Sequence, residues 1–342
     1  ILIDCKAKLG EGPFWNHNTL ELSFVDIMSK KFFIWKKNIL KTYNIPCQIS
    51  CLLPTKKKNT WIAASKNKII KIFIKNKKIK ILTIKIVSEP KQNRFNDGKC
   101  DTLGRLWLSS MDNNEKLNTG QLWFFKSLSK IKVVDKNFKI GNGMDWSPDN
   151  KYLYFVASDK RIIYSYKFDI VSGKLSKKKV FIKVPKKRGY PDGICTDIYG
   201  GVWVAYWDGG CVIRHFPNGR IDKIINLPVK KPTSLCFGGE KLNMLFITSA
   251  KTFNKQNYRA ETKSGSIFVI KTNISGKKSC RNVNDIVKNF KNKKITIING
   301  GKTKFGIDST IIDVTKDKIN ILRKGYINKK KIKKLGLLDY EN

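Results

Sequence analysis

Residues 143–156 read Gly-Met-Asp-Trp-Ser-Pro-Asp-Asn-Lys-Tyr-Leu-Tyr-Phe-Val, and this pattern occurs six times along the chain. Each copy has a small and an apolar residue, a polar turn, and then a short apolar or aromatic strand. These second strands begin at residues 22, 60, 106, 153, 202 and 245, which gives spacings of 38, 46, 47, 49 and 43 residues. A period in the forties made of short strands is typical of propeller blades rather than of helical solenoids. The sequence therefore predicts an all-β fold, a six-bladed β-propeller.

The remaining strands of each unit support this count. A third apolar strand follows every copy of the pattern, and a fourth follows the first five copies. The sixth unit has no obvious fourth strand, whereas Leu2–Cys5 is a spare strand ahead of the first copy. We expect this strand to pair beside residues 265–270, because closing the ring leaves no open sheet edge. The pattern stops near Ile270, which predicts a propeller over residues 1–270 and a separate small α/β segment over residues 271–342.

Composition excludes some classes of protein. The 342 residues are 41% hydrophobic, enough for a substantial core, and no run of 18 apolar residues indicates a membrane span. The net charge of +43 would suit a nucleic-acid partner. However, only nine of the 69 basic residues are Arg. Proteins that recognise nucleic acids depend on Arg for bidentate contacts. Lys, Asn and Ile have AT-rich codons, so we expect solvated lysine loops rather than a nucleic-acid or membrane partner.

The cysteines and histidines give no sign of a thiolate or imidazole metal site. The eight cysteines contain no CxxC pair, and several occupy strand positions that suit a small apolar residue. Together with the lack of a secretory signal, this predicts reduced cysteines and a cytoplasmic location. His17 and His215 have no partner at a metal-binding spacing, so both are expected to be structural.

One position of the repeat carries oxygen-bearing side chains. The residue before the small residue is Glu11, Asp97, Asn142 or Asp192 in four of the copies. Equivalent positions in a radial repeat face the same axis, so these side chains are expected to converge there. Asp-Gly and Asn-Gly are also strong turn formers, but four oxygen-bearing residues at the same position of the repeat favour a binding site. Carboxylate and amide oxygens suit Ca²⁺, Mg²⁺ or Mn²⁺, and Zn²⁺ less naturally.

Five motifs resemble the gluconolactonase/senescence-marker-protein (regucalcin-like) family, in order, over residues 1 to about 270. They are Leu9-Gly-Glu-Gly-Pro-Phe-Trp15, Arg94-Phe-Asn-Asp-Gly-Lys99 with Gly104-Arg-Leu-Trp107, Asn142-Gly-Met-Asp-Trp-Ser-Pro-Asp149, Pro191-Asp-Gly193 and Phe237-Gly-Gly239. The resemblance implies a six-bladed propeller that holds one divalent metal ion in its axial channel and hydrolyses sugar lactones such as glucono- and xylonolactone. It also implies that Glu11, Asn142 and Asp192 are the metal ligands, with Asp192 accepting a proton from the attacking water.

The same resemblance implies a set of substrate-binding residues. Arg94 and Asn96 match the family's substrate-contacting pair, and Glu115 lies near the place of a further acidic substrate residue. The position directly before the small residue of the repeat is instead held by Asp97, one residue after Asn96. Asp97 is therefore kept as a secondary candidate. Ala157 stands where family members usually have Asp, a departure that affects none of the expected metal ligands.

The segment after Ile270 resembles the closing third of threonylcarbamoyl-AMP synthases, the YrdC-like family. The resemblance rests on Gly306-Ile-Asp-Ser-Thr-Ile-Ile-Asp-Val314 and Ile321-Leu-Arg-Lys-Gly-Tyr-Ile327. It implies a vestigial nucleotide site made of Asn273, Ser309, Thr310 and Arg323. Much of that family's nucleotide site belongs to an N-terminal part that has no counterpart here, so we expect a fused fragment without synthase activity.

Three functions are consistent with the sequence. The favoured hypothesis is a sugar lactonase in which a metal-activated water attacks a small-molecule lactone. A propeller that binds metal without turnover is the second hypothesis. The third is a factor related to tRNA modification that acts through the C-terminal segment.

Overall fold

The computed structural model describes residues 1–75, 78–251 and 262–272, together with two short strands at 311–313 and 320–323. The chain divides into two units, Ile1–Thr272 and Asn273–Asn342. Among the described residues, the first unit contains six antiparallel sheets made of consecutive strands. This arrangement confirms the predicted six-bladed propeller.

The strands follow one another blade by blade. Blades one and two are β1 (Gly10–Asn16), β2 (Glu21–Asp26), β3 (Lys31–Lys36), β4 (Ile39–Asn44), β5 (Cys51–Pro54), β6 (Thr60–Ser65), β7 (Lys68–Lys75) and β8 (Lys78–Ile86). Blades three and four are β9 (Asn93–Cys100), β10 (Leu106–Asp112), β11 (Gly120–Phe125), β12 (Ile131–Phe138), β13 (Gly141–Trp146), β14 (Tyr152–Ala157), β15 (Ile162–Asp169) and β16 (Lys174–Lys183). After a 3₁₀ helix (Lys186–Arg188), blades five and six are β17 (Tyr190–Thr196), β18 (Val202–Trp207), β19 (Cys211–His215), β20 (Ile221–Asn226), β21 (Pro232–Gly238), β22 (Met244–Ser249) and β23 (Phe268–Lys271).

Apolar side chains pack between neighbouring blades rather than in one central core. Within the described residues there is one buried cluster at each of the six blade interfaces. Trp107 of blade three packs with Phe155 of blade four, and Phe24 of blade one packs with Phe246 of blade six. The second strand of each blade is therefore buried on both faces, which explains its nearly continuous apolar sequence.

The first strand of each blade lies innermost, in contact with the first strands of its neighbours. The small residue of the repeat permits this approach. A Cβ atom at Gly143 would lie 2.7 Å from the backbone nitrogen of Ile194, and one at Gly193 would lie 2.6 Å from Cα of Ser234. Side chains at these positions would push the inner strands apart, so the repeat requires glycine there.

An aspartate fixes the turn between the first and second strands in two of the blades. Asp101 accepts a hydrogen bond from the Leu103 backbone nitrogen at 3.0 Å and another from the Trp107 indole nitrogen at 3.0 Å. Asp197 accepts equivalent bonds from the Tyr199 backbone nitrogen at 3.0 Å and the Trp203 indole nitrogen at 2.8 Å. Each aspartate thus ties its turn to the buried tryptophan of the following strand.

The N-terminal residues close the ring, as predicted. Ile3 forms an antiparallel bridge with Ile267, where the Ile267 backbone nitrogen donates to the Ile3 carbonyl at 2.8 Å. The Ala7 backbone nitrogen donates to the Gly265 carbonyl at 2.9 Å. Blade six thereby gains a partner from the start of the chain, although the pairing consists of isolated bridges, Ile3 with Ile267 and Leu9 with Ala250, rather than a continuous strand.

The second unit is described only at β24 (Ile311–Asp313) and β25 (Asn320–Arg323), which pair antiparallel. Of the predicted nucleotide-site residues, Arg323 is the last residue of β25. The other three, and most of the predicted α/β segment, lie outside the described residues: Asn273, Ser309 and Thr310. In the part of the chain that the structure describes, no helix has the length and apolarity needed to cross a membrane.

Ring closure predicts a difference between two isoleucines. Ile3 is 8% exposed and packs between blades six and one, so Ile3→Ala should lower the free energy of unfolding by about 2–5 kcal/mol. Ile39 on the outermost strand β4 is 63% exposed, so the matched Ile39→Ala change should cost less than about 0.5 kcal/mol. Urea unfolding followed by tryptophan fluorescence measures both. Equal losses would show that the N-terminal bridge does not stabilise the ring.

Candidate metal centre at the propeller axis

The three predicted metal ligands lie near the starts of their inner strands. Glu11 and Asn142 are the second residues of β1 and β13, and Asp192 is the third residue of β17. Asn142 and Asp192 are buried, and Glu11 is half-buried. The carboxylates of Glu11 and Asp192 interact electrostatically with each other and with that of Asp97. The structure therefore brings these carboxylates together at one end of the inner strands.

β-Bulges in the inner strands set the equivalent positions of the blades. The bulges of β13 and β17 contain Asn142 and Asp192. The bulge of β9 contains Asn96, whereas the following Asp97 pairs regularly with Ser109. Asn96 is thus the blade-three counterpart of Asn142 and Asp192. The repeat pattern in the sequence aligned Asp97 with Asn142 and Asp192. A bulge adds one residue to a strand, and counting residues between repeats does not reveal where it lies.

Glu11 also differs from the position that the repeat pattern predicts, because it does not lie within a bulge as Asn142 and Asp192 do. The bulge of β1 follows Glu11, which still pairs with Val25 on β2. Its carboxylate nevertheless interacts with Asp192 across the axis. The carboxylates of Glu11, Asp97 and Asp192 therefore interact, although Glu11 and Asp97 lie outside the bulges that contain Asn96, Asn142 and Asp192.

A serine that sequence reasoning missed orients Asn142. The Asn142 amide nitrogen donates to Ser158 Oγ at 3.1 Å, and that hydroxyl donates to the Pro191 carbonyl at 2.7 Å. The amide oxygen is then the Asn142 atom available to a cation. Ser158 directly follows Ala157, the position where the family usually has Asp. This departure from the family motif is the feature of the sequence that could have drawn attention to Ser158.

The donor set fits a divalent cation. Burial raises the pKa of Glu11 and of Asp192 well above their ordinary values, and repulsion from neighbouring carboxylates raises both further. Burial likewise raises the pKa of Asp97 to about 6. A bound cation would favour the ionised carboxylates and remove this repulsion. Hard oxygen donors of this kind suit Ca²⁺, Mg²⁺ or Mn²⁺ better than Zn²⁺.

The predicted donor set includes an amide oxygen. In the described part of the chain, no three Asp, Glu, His or Cys side chains are grouped as a metal site would require. The predicted ligand set of Glu11, Asn142 and Asp192 has two carboxylates and one amide oxygen, and it stays a prediction. The Asp97 carboxylate interacts electrostatically with Glu11 and Asp192 and adds negative charge nearby.

The expected substrate residues lie at the same end of the propeller. Arg94 Nη1 donates to Asn96 Oδ1 at 2.8 Å, and Asn96 Nδ2 donates to the Gly141 carbonyl at 3.0 Å. Burial lowers the pKa of Arg94, although the negative charges of Glu11, Glu115 and Asp192 oppose that shift. Glu115 itself is exposed, in the loop between β10 and β11. The structure thus places Arg94 between the axial carboxylates and a surface carboxylate.

A second charged pair, also missed from the sequence, lies further along the inner strands. Lys99 Nζ and Asp145 Oδ2 are 2.8 Å apart and join β9 to β13. The Thr196 backbone nitrogen also donates to Asp145 Oδ2 at 2.8 Å, which adds β17 to the group. This pair fixes three inner strands relative to one another below the candidate metal centre.

The architecture and the axial donors define a class of propeller with a candidate divalent-metal centre, and comparison places the chain in a family. The sequence profile of the SMP-30/Gluconolactonase/LRE-like region matches residues 9–251, so the chain belongs to that family. An uncharacterized protein of Sulfolobus acidocaldarius is 36% identical over 247 residues, which span 72% of this chain and 88% of that protein. Regucalcin of Oryctolagus cuniculus is 30% identical over 285 residues, spanning 79% of this chain and 94% of regucalcin.

Solved structures share the propeller fold. A luciferin-regenerating enzyme has 27% identity and a TM-score of 0.73, with 79% of this chain and 93% of that one covered. The calcium-binding protein regucalcin from Agrobacterium tumefaciens has 22% identity and a TM-score of 0.74, covering 79% and 92% of the two chains. A gluconolactonase from Xanthomonas campestris has 17% identity and a TM-score of 0.63, covering 78% and 87%. The last two likenesses concern the fold alone.

A second profile, Sua5/YciO/YrdC, described as telomere recombination, matches residues 243–325. This confirms the resemblance of the C-terminal segment to the YrdC-like family. The match overlaps the first profile over residues 243–251, within blade six.

The buried carboxylates predict a pH dependence of stability in metal-free protein. Folding raises the pKa of Asp97 to about 6, so the folded protein holds this proton more tightly than the unfolded chain. The stabilisation is fully present below about pH 4 and is lost as the pH rises through about 6. With a chelator present, Asp97→Asn should therefore raise Tm at pH 7.5 and flatten the fall in Tm above pH 4. One pKa unit corresponds to about 1.4 kcal/mol, so the gain should not exceed about 3 kcal/mol. An unchanged pH profile in this variant would contradict the assignment.

Proposed function

We propose that this chain hydrolyses sugar lactones with the aid of one divalent cation held by Glu11, Asn142 and Asp192. The observation that supports this most strongly is the electrostatic interaction of the Glu11 and Asp192 carboxylates with each other and with Arg94, near the starts of their inner strands. Membership of a family that includes gluconolactonases favours lactone hydrolysis over other reactions. The ions to be considered are Ca²⁺, Mg²⁺, Mn²⁺ and Zn²⁺, and the calcium-binding regucalcin of similar fold favours Ca²⁺.

The chain's own residues supply binding and proton transfer. When bound, the cation would supply Lewis-acid polarisation of the lactone carbonyl. Asp192 accepts a proton from the water that attacks the carbonyl carbon. The ring ester C–O bond then breaks, its oxygen leaves with a proton, and the product is an aldonic acid. Arg94, positioned through Asn96, stabilises negative charge that develops on the carbonyl oxygen.

Secondary parts of the site assist in this scheme. Ser158 keeps the Asn142 amide in one orientation, which preserves an oxygen for the cation. Asp97 adds negative charge beside the ligands and so favours cation binding. In this proposal Glu115, an exposed carboxylate that interacts with Arg94, accepts hydrogen bonds from sugar hydroxyls.

The partner in this proposal is a small molecule, and the cellular location stays a prediction. The seven cysteines of the described residues are all free, which supports a reducing compartment such as the cytoplasm. Neither a nucleic acid nor a membrane is needed for the proposed reaction.

Removal of one ligand tests the proposal. Chelator-treated protein should lose lactone hydrolysis and regain it when one of the four divalent ions is added back. Asp192→Ala should lower kcat/KM by about 10²–10⁴-fold, because both a ligand and the proton acceptor are lost. Asp149→Asn is the matched control, since Asp149 lies in an exposed turn of blade four.

The assay is a panel of neutral sugar lactones followed by acid release. Wild-type turnover in Asp192→Ala would contradict the catalytic assignment. Metal binding measured by calorimetry without turnover of any lactone would instead favour a metal-binding propeller, the second hypothesis.

The C-terminal segment predicts a separate outcome. All residues of the proposed site belong to the unit that ends at Thr272, whose backbone nitrogen donates to the Asn243 carbonyl at 2.8 Å. Deleting residues 273–342 should therefore leave kcat/KM for the lactone nearly unchanged. Loss of turnover would show that the segment braces the propeller. Formation of threonylcarbamoyl-AMP by the full chain would contradict the prediction of a fragment without synthase activity.

A further inference from the structure

A large cavity lies beside the candidate metal centre. Its volume is about 550 Å³, which falls within the range of about 300–1,000 Å³ usual for small-molecule sites. Its walls come from three blades, at the segments that lead into β5 and β9 and at the loops after β2, β6 and β10. These segments lie at the same end of the propeller as Glu11, Asn142 and Asp192. The cavity is therefore on the side from which a substrate would reach the axis.

The charged residues that line the cavity are all positive. They are Lys30, Lys66, Lys68, Lys91 and Arg94. Asp and Glu are missing from its lining, and the four lysines form no ion pair with a carboxylate among the described residues. The nearby carboxylate of Glu115 interacts with Arg94 but does not line the cavity. The cavity therefore has a positive potential without counter-charges of its own.

Arg94 connects the cavity to the axis. It lines the cavity, and it also interacts electrostatically with Glu11 and Asp192. Ile49, buried at 1% exposure, lines the same cavity, and it holds the place in blade two that carries an oxygen donor in other blades. The wall towards blade two is thus apolar at Ile49, which belongs to the buried cluster between blades one and two, and cationic at the surrounding lysines. A ligand with a polar ring at the axis and an anionic group further out would match this distribution.

We propose that the substrate is a sugar lactone bearing a phosphate monoester, whose phosphate lies among Lys30, Lys66, Lys68 and Lys91. This inference rests on the proposed lactonase function. A phosphate carries nearly two negative charges and three acceptor oxygens, and lysine binds phosphate as a point charge. Hydrolysis breaks only the lactone ester bond, and the phosphate ester remains intact. The lysines select the substrate, whereas Arg94 and the axial residues act on the ring.

The test compares two lactones that differ by one phosphate group. We expect the wild-type kcat/KM for 6-phosphogluconolactone to exceed that for gluconolactone by about 10–100-fold, which corresponds to about 1.4–2.8 kcal/mol. The double variant Lys66→Gln/Lys68→Gln should lower this preference about tenfold. In the control Lys41→Gln/Lys80→Gln, two exposed lysines of the outermost strands are neutralised, and the preference should persist. Lys91→Gln provides an independent variant should the first pair not fold.

A binding measurement separates this inference from the lactonase proposal. Calorimetry with 6-phosphogluconate and gluconate requires no turnover. Tighter binding of 6-phosphogluconate that is lost in Lys66→Gln/Lys68→Gln, with no lactone hydrolysed, would refute the lactonase and keep the phosphate pocket. Equal affinity for the two ligands, or an equal loss in the control variant, would overturn the pocket even if gluconolactone is hydrolysed. Glucarate, which carries a carboxylate in place of the phosphate, should bind more weakly than 6-phosphogluconate, and equal binding would refute phosphate selection.

Discussion

At Gly143 and Gly193 the inner strands of blades four, five and six approach so closely that a Cβ atom would overlap the neighbouring strand. This close approach exists because the second and third strands of each blade pack against the next blade and draw the inner strands towards the axis. The residues beside the glycines consequently share a narrow space. The side chains of Asn142 and Asp192, far apart in sequence, become neighbours for that reason. The site depends on the ring being closed and tightly wound.

Charge is concentrated where the packing is tightest. The carboxylates of Glu11, Asp97 and Asp192 interact with one another, Glu11 and Asp192 also interact with the Arg94 guanidinium, and burial raises the pKa of each carboxyl group. Such an arrangement opposes folding unless a cation or protons neutralise it. Packing at the six blade interfaces offsets the unfavourable burial and repulsion of these carboxylates. A conflict between local electrostatics and global packing of this kind is typical of functional sites.

The blades are equivalent in fold but unequal at the axis. Blades one, four and five supply the proposed ligands, and blade three supplies Arg94 and Asn96. Blade two instead has the buried Ile49 ahead of its inner strand and lysines in its loops, and these residues line the cavity. The repeat thus provides a rigid frame, and the differences between its copies create one side for a cation and another for a substrate.

The sequence by itself determined the number of blades, because the period and the apolar runs follow directly from packing each sheet between two others. It also determined the closing role of the N-terminus and the family, and it singled out Glu11, Asp97 and Asp192, whose carboxylates interact in the structure. Only the tertiary structure showed that Asn96 lies in a bulge while Asp97 pairs regularly, since a bulge shifts the register by one residue without leaving a trace in the spacing. It also revealed Ser158 beside Asn142 and the pair formed by Lys99 and Asp145. The cavity is assembled from segments of three blades separated by dozens of residues, and the charges act through space. Such features depend on distances that no local pattern of residues encodes.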